Sequence, residues 1–136
     1  MKIKLFCTGK LPSGRFNDHL ASYERYQFVL YTITPEDQLA SIVATFNLNQ
    51  LHGCCGVCIS HYASVDVYFK KRGVGTLLNT LRKEIAKQQG FTVMLCTDID
   101  TNTPNRKILQ KNGWKDIFSF VNKRTKNKVN ISVVEL

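Results

Sequence analysis

The sequence predicts a single α/β (α+β) domain over residues 1–136, built on a mixed, mostly antiparallel central sheet of about seven strands with flanking helices. Three observations support this prediction. Seven segments have the alternating or continuous apolar pattern of β-strands. Two amphipathic segments separate the later strands. A hydrophobic fraction of 43% in 136 residues is enough to form a core without disulfides or metals.

The first third of the chain is predicted to contain three strands. Alternating Ile3, Leu5 and Cys7 indicate the first, and β-branched and aromatic side chains indicate the other two. Strands two and three form a hairpin around Pro35. The predicted strands are residues 2–7, 27–34 and 40–47. Between the first two strands, residues 8–17 are predicted to form a loop and residues 18–25 a short helix.

The middle of the chain predicts a strand–helix–strand unit. Residues 56–67 are a long apolar run, which we interpret as a central strand buried on both faces. Residues 91–97 form its parallel partner, reached by a right-handed crossover through the helix. The helix at residues 73–89 has apolar side chains at three- and four-residue spacing, namely Val74, Leu77, Leu78, Leu81, Ile85 and Ala86, and ends at Gly90.

The last third predicts a second helix and a closing hairpin. The helix spans residues 104–112, with Thr103 as its N-cap and Pro104 at its first position, where proline's missing N–H costs nothing. Strands at residues 114–122 and 128–135 follow, joined by a basic turn.

The start of the first helix has the composition of an anion site. The first N–H groups of a helix have no partner within it, and the helix dipole places partial positive charge there. Gly73 and Gly75 would let the backbone approach phosphate oxygens. The remaining residues of this turn add positive charge, an apolar side chain and a hydroxyl: Lys70, Lys71, Arg72, Val74 and Thr76. The alternative is a helix that happens to begin with glycine and basic residues, because a single Gly-x-Gly is weak evidence.

A family resemblance makes this turn more specific. Residues 63–78, ASVDVYFKKRGVGTLL, resemble the cofactor motif of the GNAT N-acetyltransferases, Gln/Arg-x-x-Gly-x-Gly/Ala, with Lys70 where Gln or Arg is usual. Residues 102–114, NTPNRKILQKNGW, resemble the family's Asn-x-x-Ala/Ser…Tyr-x-Lys-x-Gly-Phe segment. The resemblance covers about residues 56–120 and implies a GNAT fold and acetyl-CoA as acyl donor, without a metal. It implies cofactor contacts at Val65, Val67, residues 70–76, Asn102 and Asn105.

The resemblance also implies where the chemistry occurs. His61 precedes Val65 by four residues and resembles a histidine of the arylalkylamine N-acetyltransferases, although Ile59 replaces the first of the family's histidine pair. A histidine can act as a general base near neutral pH, but one in an apolar strand can equally be a core residue. Leu109 replaces the tyrosine that often acts as the acid. Tyr62, Tyr68 or water would then supply the proton, or departure of the thiol is unassisted.

A zinc site is the competing interpretation of residues 52–61, which contain His52, Cys54, Cys55, Cys58 and His61. In an extended strand Cys58 and His61 point to opposite faces and cannot chelate together. We therefore expect no metal and five reduced thiols, including Cys96.

Net charge leaves two function classes open. A charge of +9 favours phosphate-bearing cofactors, acidic proteins or nucleic acids. The first hypothesis is an acetyltransferase acting on an amine acceptor. The second is a catalytically weak module that binds acetyl-CoA, or an acidic partner or RNA, through its basic surface around residues 123–128. We expect a cytoplasmic protein without a membrane partner, either monomeric or homodimeric.

Overall fold

The structure, a computed structural model, describes residues 3–7, 27–36 and 38–136. Its strands form one seven-stranded sheet in the order β1-β2-β3-β4-β5-β7-β6. The elements in chain order are β1 Ile3–Cys7, β2 Phe28–Ile33, β3 Leu39–Gln50, β4 Val57–Val65, α1 Val74–Gln88, β5 Val93–Ile99, α2 Thr103–Lys111, β6 Lys115–Val121 and β7 Lys128–Glu135. The predicted mixed α/β class is confirmed. The predicted loop and short helix at 8–25 lie outside the described residues.

The chain divides into two compact units, Met1–Asn47 with Tyr62–Val74, and Leu48–His61 with Gly75–Leu136. The prediction of a single domain over residues 1–136 stays a prediction. In the first unit, β2 pairs antiparallel with both β1 and β3, which confirms the hairpin. Phe28 and Phe46 are partners in this ladder and stack with their ring centroids 4.8 Å apart. Together with fully buried apolar side chains of both strands they form the unit's core.

The second unit contains the parallel pair that the sequence predicts. β4 pairs parallel with β5 from Val57↔Val93 to Ile59↔Leu95, and β7 pairs antiparallel with both β5 and β6. Alternate residues of β5 and β7 are buried on one face, since a strand has a two-residue period. These are Met94, Cys96, Asp98, Asn130, Ser132 and Val134.

Four predicted details are wrong. β4 ends at Val65, and Val67 begins a 3-10 turn over Val67–Phe69 instead. The two faces of β4 are not both buried, because Cys58 and Ser60 on one face are buried while Ile59 and His61 on the other face are half-buried. The N-cap of α2 is Asn102, not Thr103, so Pro104 is its second residue. Leu77 is 38% exposed although its spacing predicts a core position.

Candidate functional site

The segment that leads into α1 is fixed by its own hydrogen bonds. The N–H of Asp66, the residue after β4, donates to the Val43 carbonyl at 2.8 Å. The Asp66 carboxylate then accepts from the Tyr68 N–H at 3.0 Å and caps the 3-10 turn. Asp66 is therefore occupied in shaping the backbone. The turn leaves Val67 and Tyr68 68% and 79% exposed, respectively.

Two left-handed residues then bring the chain into α1. Lys71 has φ +62° and Gly73 has φ +79°, the region that side-chain-bearing residues rarely adopt. A Cβ on Gly73 would meet no atom within 4 Å, so its glycine is required by conformation and not by space. The helix starts at Val74, which is buried and anchors the turn.

Positive charge surrounds this helix start. Lys70, Lys71 and Arg72 are exposed, and Arg72 lies over the Phe69 ring with its Cζ 5.9 Å from the centroid. No acidic residue occurs in the first turn of this 15-residue helix. Within the described part of the chain, backbone amides 71–76 donate no hydrogen bond to a loop, a cap or another strand. The first N–H groups of a helix, which have no partner within it, the helix dipole and three cations together favour an anion.

Gly75 has a second role that the sequence did not reveal. A Cβ at this position would lie 2.9 Å from the Cδ1 of Ile108 on α2. The missing side chain therefore lets α1 approach α2 closely, in addition to any contact with a ligand. Thr76 is exposed one residue further along the helix.

The start of α2 contains the second pair of predicted contact residues. Asn102 accepts a hydrogen bond from the Asn105 N–H at 3.4 Å and so caps the helix. Asn102 is exposed and Asn105 is half-buried. Capping uses the side-chain oxygen of Asn102, while its amide nitrogen can still donate. The contacts of both residues with a cofactor stay a prediction.

The candidate proton-transfer groups lie in β4. His61 is half-buried and follows Ser60, whose side chain points to the opposite face. For Tyr62 only the backbone is described, and it continues the strand. Their roles stay predictions. Leu109 is 2% exposed and is a core residue of α2, which explains why an apolar side chain is suited to this position.

The ladder between β4 and β5 is short. Its three residue pairs end at Ile59 and Leu95, although β4 continues to Val65 and β5 to Ile99. His61 lies two residues beyond Ile59, the last residue of β4 that pairs with β5.

A buried polar cluster behind β4 was missed by the sequence analysis. Arg82 of α1 is 5% exposed, donates to the Ser60 hydroxyl at 3.2 Å and lies over the Trp114 ring at 5.1 Å. Trp114 in turn donates to the Asn79 side chain at 2.9 Å. Burial lowers the pKa of Arg82 and raises that of the neighbouring Cys96 to about 11. Cys96 is thus a packed thiol and no nucleophile near neutral pH.

An ion-pair cluster fixes the other helix. Arg106 of α2 donates to both oxygens of Asp98, at 3.2 and 3.1 Å, and to Asp116 at 3.0 Å. The Ser132 hydroxyl also donates to Asp116, at 2.8 Å. Burial raises the pKa of Asp98, whereas the bonds from Arg106 lower that of Asp116. The cluster connects α2 with β5, β6 and β7.

Two further features concern other site classes. Among residues 3–7, 27–36 and 38–136, no three His, Cys, Asp or Glu side chains come together as metal ligands would. Neither described helix has the length and apolar composition of a membrane span.

Solved structures identify the fold. Over 99% of both chains, the structure superposes on the IAA acetyltransferase from Bacillus cereus with a TM-score of 0.67 at 12% sequence identity. The ribosomal-protein-S18-alanine N-acetyltransferase from Escherichia coli matches with a TM-score of 0.63 at 14% identity, over 87% of this chain and 75% of that one. A GCN5-related N-acetyltransferase from Kribbella flavida matches with a TM-score of 0.63 at 18% identity, over 80% and 67%.

The chain has the GNAT fold. At these identities the likeness concerns the fold and not the substrates. By sequence alone, no protein-family model and no curated protein matches the chain. In GNAT terms, β4, the 3-10 turn and α1 are the strand, turn and helix that carry the predicted cofactor motif, and α2 carries the second segment.

Proposed function

We propose that the protein is a GNAT-type N-acetyltransferase that moves an acetyl group from acetyl-CoA to a primary amine. The start of α1 carries this proposal. There, a left-handed glycine, three exposed cations and a first turn without acidic residues occur in a GNAT fold.

The proposed contacts are those that the GNAT resemblance implies. The diphosphate of the coenzyme would accept hydrogen bonds from the backbone around Gly73–Thr76, with Lys70, Lys71 and Arg72 supplying screened attraction. The exposed Thr76 hydroxyl can add a further bond. Val65 would contact the coenzyme from the end of β4 and Val67 from the 3-10 turn. Asn102 and Asn105 would contact it from the start of α2.

Acetyl transfer needs a neutral amine, a polarised thioester carbonyl and a departing thiolate. We assign removal of the amine proton to His61. We assign carbonyl polarisation to the backbone N–H of Val65 or of a neighbour other than Asp66, whose N–H donates to the Val43 carbonyl. Tyr62 is the candidate proton donor to the thiolate, because the buried Leu109 cannot donate.

The acceptor is proposed by class only. The net charge of +9 favours an amine on an acidic protein or on a nucleic acid over a polycationic amine such as a polyamine. A cytoplasmic location accords with an acetyl-CoA-dependent reaction and with reduced, exposed Cys54 and Cys55.

Turnover against a panel of amines tests the proposal. Release of the coenzyme thiol is followed with a thiol-reactive dye. The assay uses the variant Cys54→Ser/Cys55→Ser, because the exposed thiols of the wild type would also react with the dye. We expect thiol release that depends on at least one amine of the panel, which includes small amines, lysine-containing peptides and peptides with free N-termini.

One observation favours the second candidate function. Leu109 removes the usual acid, so the chain could hold acetyl-CoA without transferring its acetyl group at a useful rate. Binding of acetyl-CoA with no amine-dependent thiol release would support this non-catalytic module and contradict the enzyme.

A further inference from the structure

β6 is the last strand of the sheet and has an open edge. In the described part of the chain it pairs with β7 alone, and it stands at the end of the strand order. All seven of its residues are exposed. The N–H and C=O groups on its outer side can therefore pair with a further strand.

The side chains of this edge are unusually apolar. Ile117, Phe118, Phe120 and Val121 are 57%, 61%, 40% and 61% exposed. Phe118 and Phe120 lie on one face, where their rings stack with centroids 6.3 Å apart. Val121 lies on the other face, and Ile117 sits in a register shift that leaves it unpaired with β7. Apolar groups thus border the open edge from both faces.

The same edge is strongly basic. The exposed basic residues of β6 and of the turn to β7 are Lys115, Lys123, Arg124, Lys126 and Lys128. None of them takes part in the ion pairs found among the described residues. Asp116 is the one acidic residue between positions 115 and 128, and Arg106 and Ser132 hold its oxygens.

The basic turn is ordered. The Asn122 side chain accepts from the N–H groups of Arg124 and Thr125 at 2.9 and 3.3 Å. The Asn122 backbone exchanges two further bonds with Asn127 and Lys126, at 2.8 and 2.7 Å. The turn backbone is therefore held by its own hydrogen bonds, so binding at this turn requires little further ordering of the backbone.

We propose that β6 binds an extended acidic segment of a partner protein as an added strand. Main-chain hydrogen bonds to the open edge would supply affinity, apolar side chains at alternate positions would pack on Phe118 and Phe120, and carboxylates would face the basic turn. A second copy of this chain is disfavoured, since it would bring like charges together. Nucleic acid would leave Ile117 and Val121 without a matching contact. This surface lies beyond the proposed acetyl transfer and does not depend on it.

Matched peptide pools test the proposal. Both pools contain peptides of about eight residues, a usual strand length, with blocked ends so that neither end can act as an acceptor. In one pool, Glu or Asp alternates with Val, Ile or Tyr; in the other, the same residues are grouped into an acidic and an apolar block. We expect the alternating pool to slow hydrogen exchange of the outward β6 amides, and N-methylation of alternate peptide amides to abolish this effect.

Charge-matched variants locate the binding site. Lys123→Glu/Arg124→Glu should weaken binding of the alternating pool at least about tenfold, because it reverses charge at the edge. Lys107→Glu/Lys111→Glu makes the same change in net charge on exposed positions of α2 and should alter affinity less than about twofold.

Four results would overturn the proposal. These are equal losses in both double variants, binding that tolerates N-methylation, and unchanged exchange of β6 in the presence of the alternating pool. The fourth is protection of β6 by self-association, by oligouridylate or by anionic vesicles, but not by the peptides.

Discussion

Gly73 and Gly75 are two positions apart in the same turn, yet they require glycine for different reasons. Gly73 has φ +79° and open space around it, whereas a side chain on Gly75 would press against Ile108. Sequence reasoning treated both as openings for a phosphate. The distinction matters for mutagenesis, because a bulky residue at Gly75 would also disturb the packing of α1 on α2. Gly73 is therefore the cleaner position at which to test ligand binding.

The proposed role of His61 as the general base can be tested by substitution. If His61 removes the amine proton, His61→Gln should lower kcat about 100-fold at neutral pH and remove the acidic limb of the pH–rate profile. His52→Gln is the matched control, because His52 is exposed on the turn before β4 and should be silent. Steady-state kinetics from pH 6 to 9 make the comparison. A profile that His61→Gln leaves unchanged would exclude this residue as the base.

At the scale of elements, α1 shows what apolar periodicity can and cannot reveal. Val74, Leu78, Arg82 and Ala86 recur every four residues, and all four are buried. Because Arg82 is charged, a search for apolar periodicity does not count it as a core residue. Its four-residue spacing from Leu78 and Ala86 nevertheless places it on the buried face of α1. Its partners come from distant positions, the Ser60 hydroxyl and the Trp114 ring, so local sequence could indicate its burial but not its contacts.

The ion-pair cluster of α2 yields a stability prediction. Arg106→Ala should lower the free energy of unfolding at pH 7 by about 3 kcal/mol, because it leaves the 1% exposed Asp98 side chain charged and unpaired. Arg106→Ala/Asp98→Asn should regain roughly half of this loss. The control Lys87→Ala removes an exposed pair with Glu84 and should change stability by less than about 0.5 kcal/mol. Urea denaturation measures all three.

The same variant has a defined pH dependence. Burial already raises the pKa of Asp98 above 3.8, and loss of the Arg106 bonds raises it further. A carboxyl whose pKa is higher in the folded state destabilises the fold increasingly as pH rises from the unfolded pKa to the folded one. The loss in the free energy of unfolding caused by Arg106→Ala should therefore become smaller as pH falls from 7 towards 4. Asp116 adds in the same direction at still lower pH, since the wild-type stability from its lowered pKa is lost only as pH falls below the ordinary pKa of an aspartate. A deficit that is constant with pH would contradict this assignment.

Element types followed from the sequence more readily than their ends. Period-two and period-3.6 patterns gave seven strands and two helices in the described part of the chain, including the parallel pair β4–β5. The boundaries depend on single hydrogen bonds. The bond from the Asp66 N–H to Val43 coincides with the end of β4, and the Asn102 cap displaces Thr103 from that role. Several neighbouring residues could form such a bond, so the sequence pattern alone could not predict which of them ends the strand or caps the helix.

For the whole molecule, fold and site were predictable to different degrees. Two local motifs in the right order led to the GNAT fold, because each is encoded within a short stretch of chain. The Arg82 and Arg106 clusters combine residues from three or more elements, so they become visible only in three dimensions. The net charge of +9 likewise indicated an anionic partner without placing it, whereas the structure shows exposed basic side chains at the start of α1 and on β6 and the turn to β7.

Calorimetric titration with acetyl-CoA tests whether the start of α1 binds the coenzyme, and Gly73→Ala and Gly90→Ala are a matched pair of variants for it. Both glycines have positive φ, +79° and +90°, with no atom within 4 Å of an added Cβ, so each variant should lose about 1 kcal/mol of stability. Only Gly73 lies at the start of α1. We expect saturable heat with the wild type, an affinity reduced about tenfold or more in Gly73→Ala, and near-wild-type affinity in Gly90→Ala. Absence of heat with the wild type, or equal losses of affinity in the two variants, would contradict binding of the coenzyme at the start of α1.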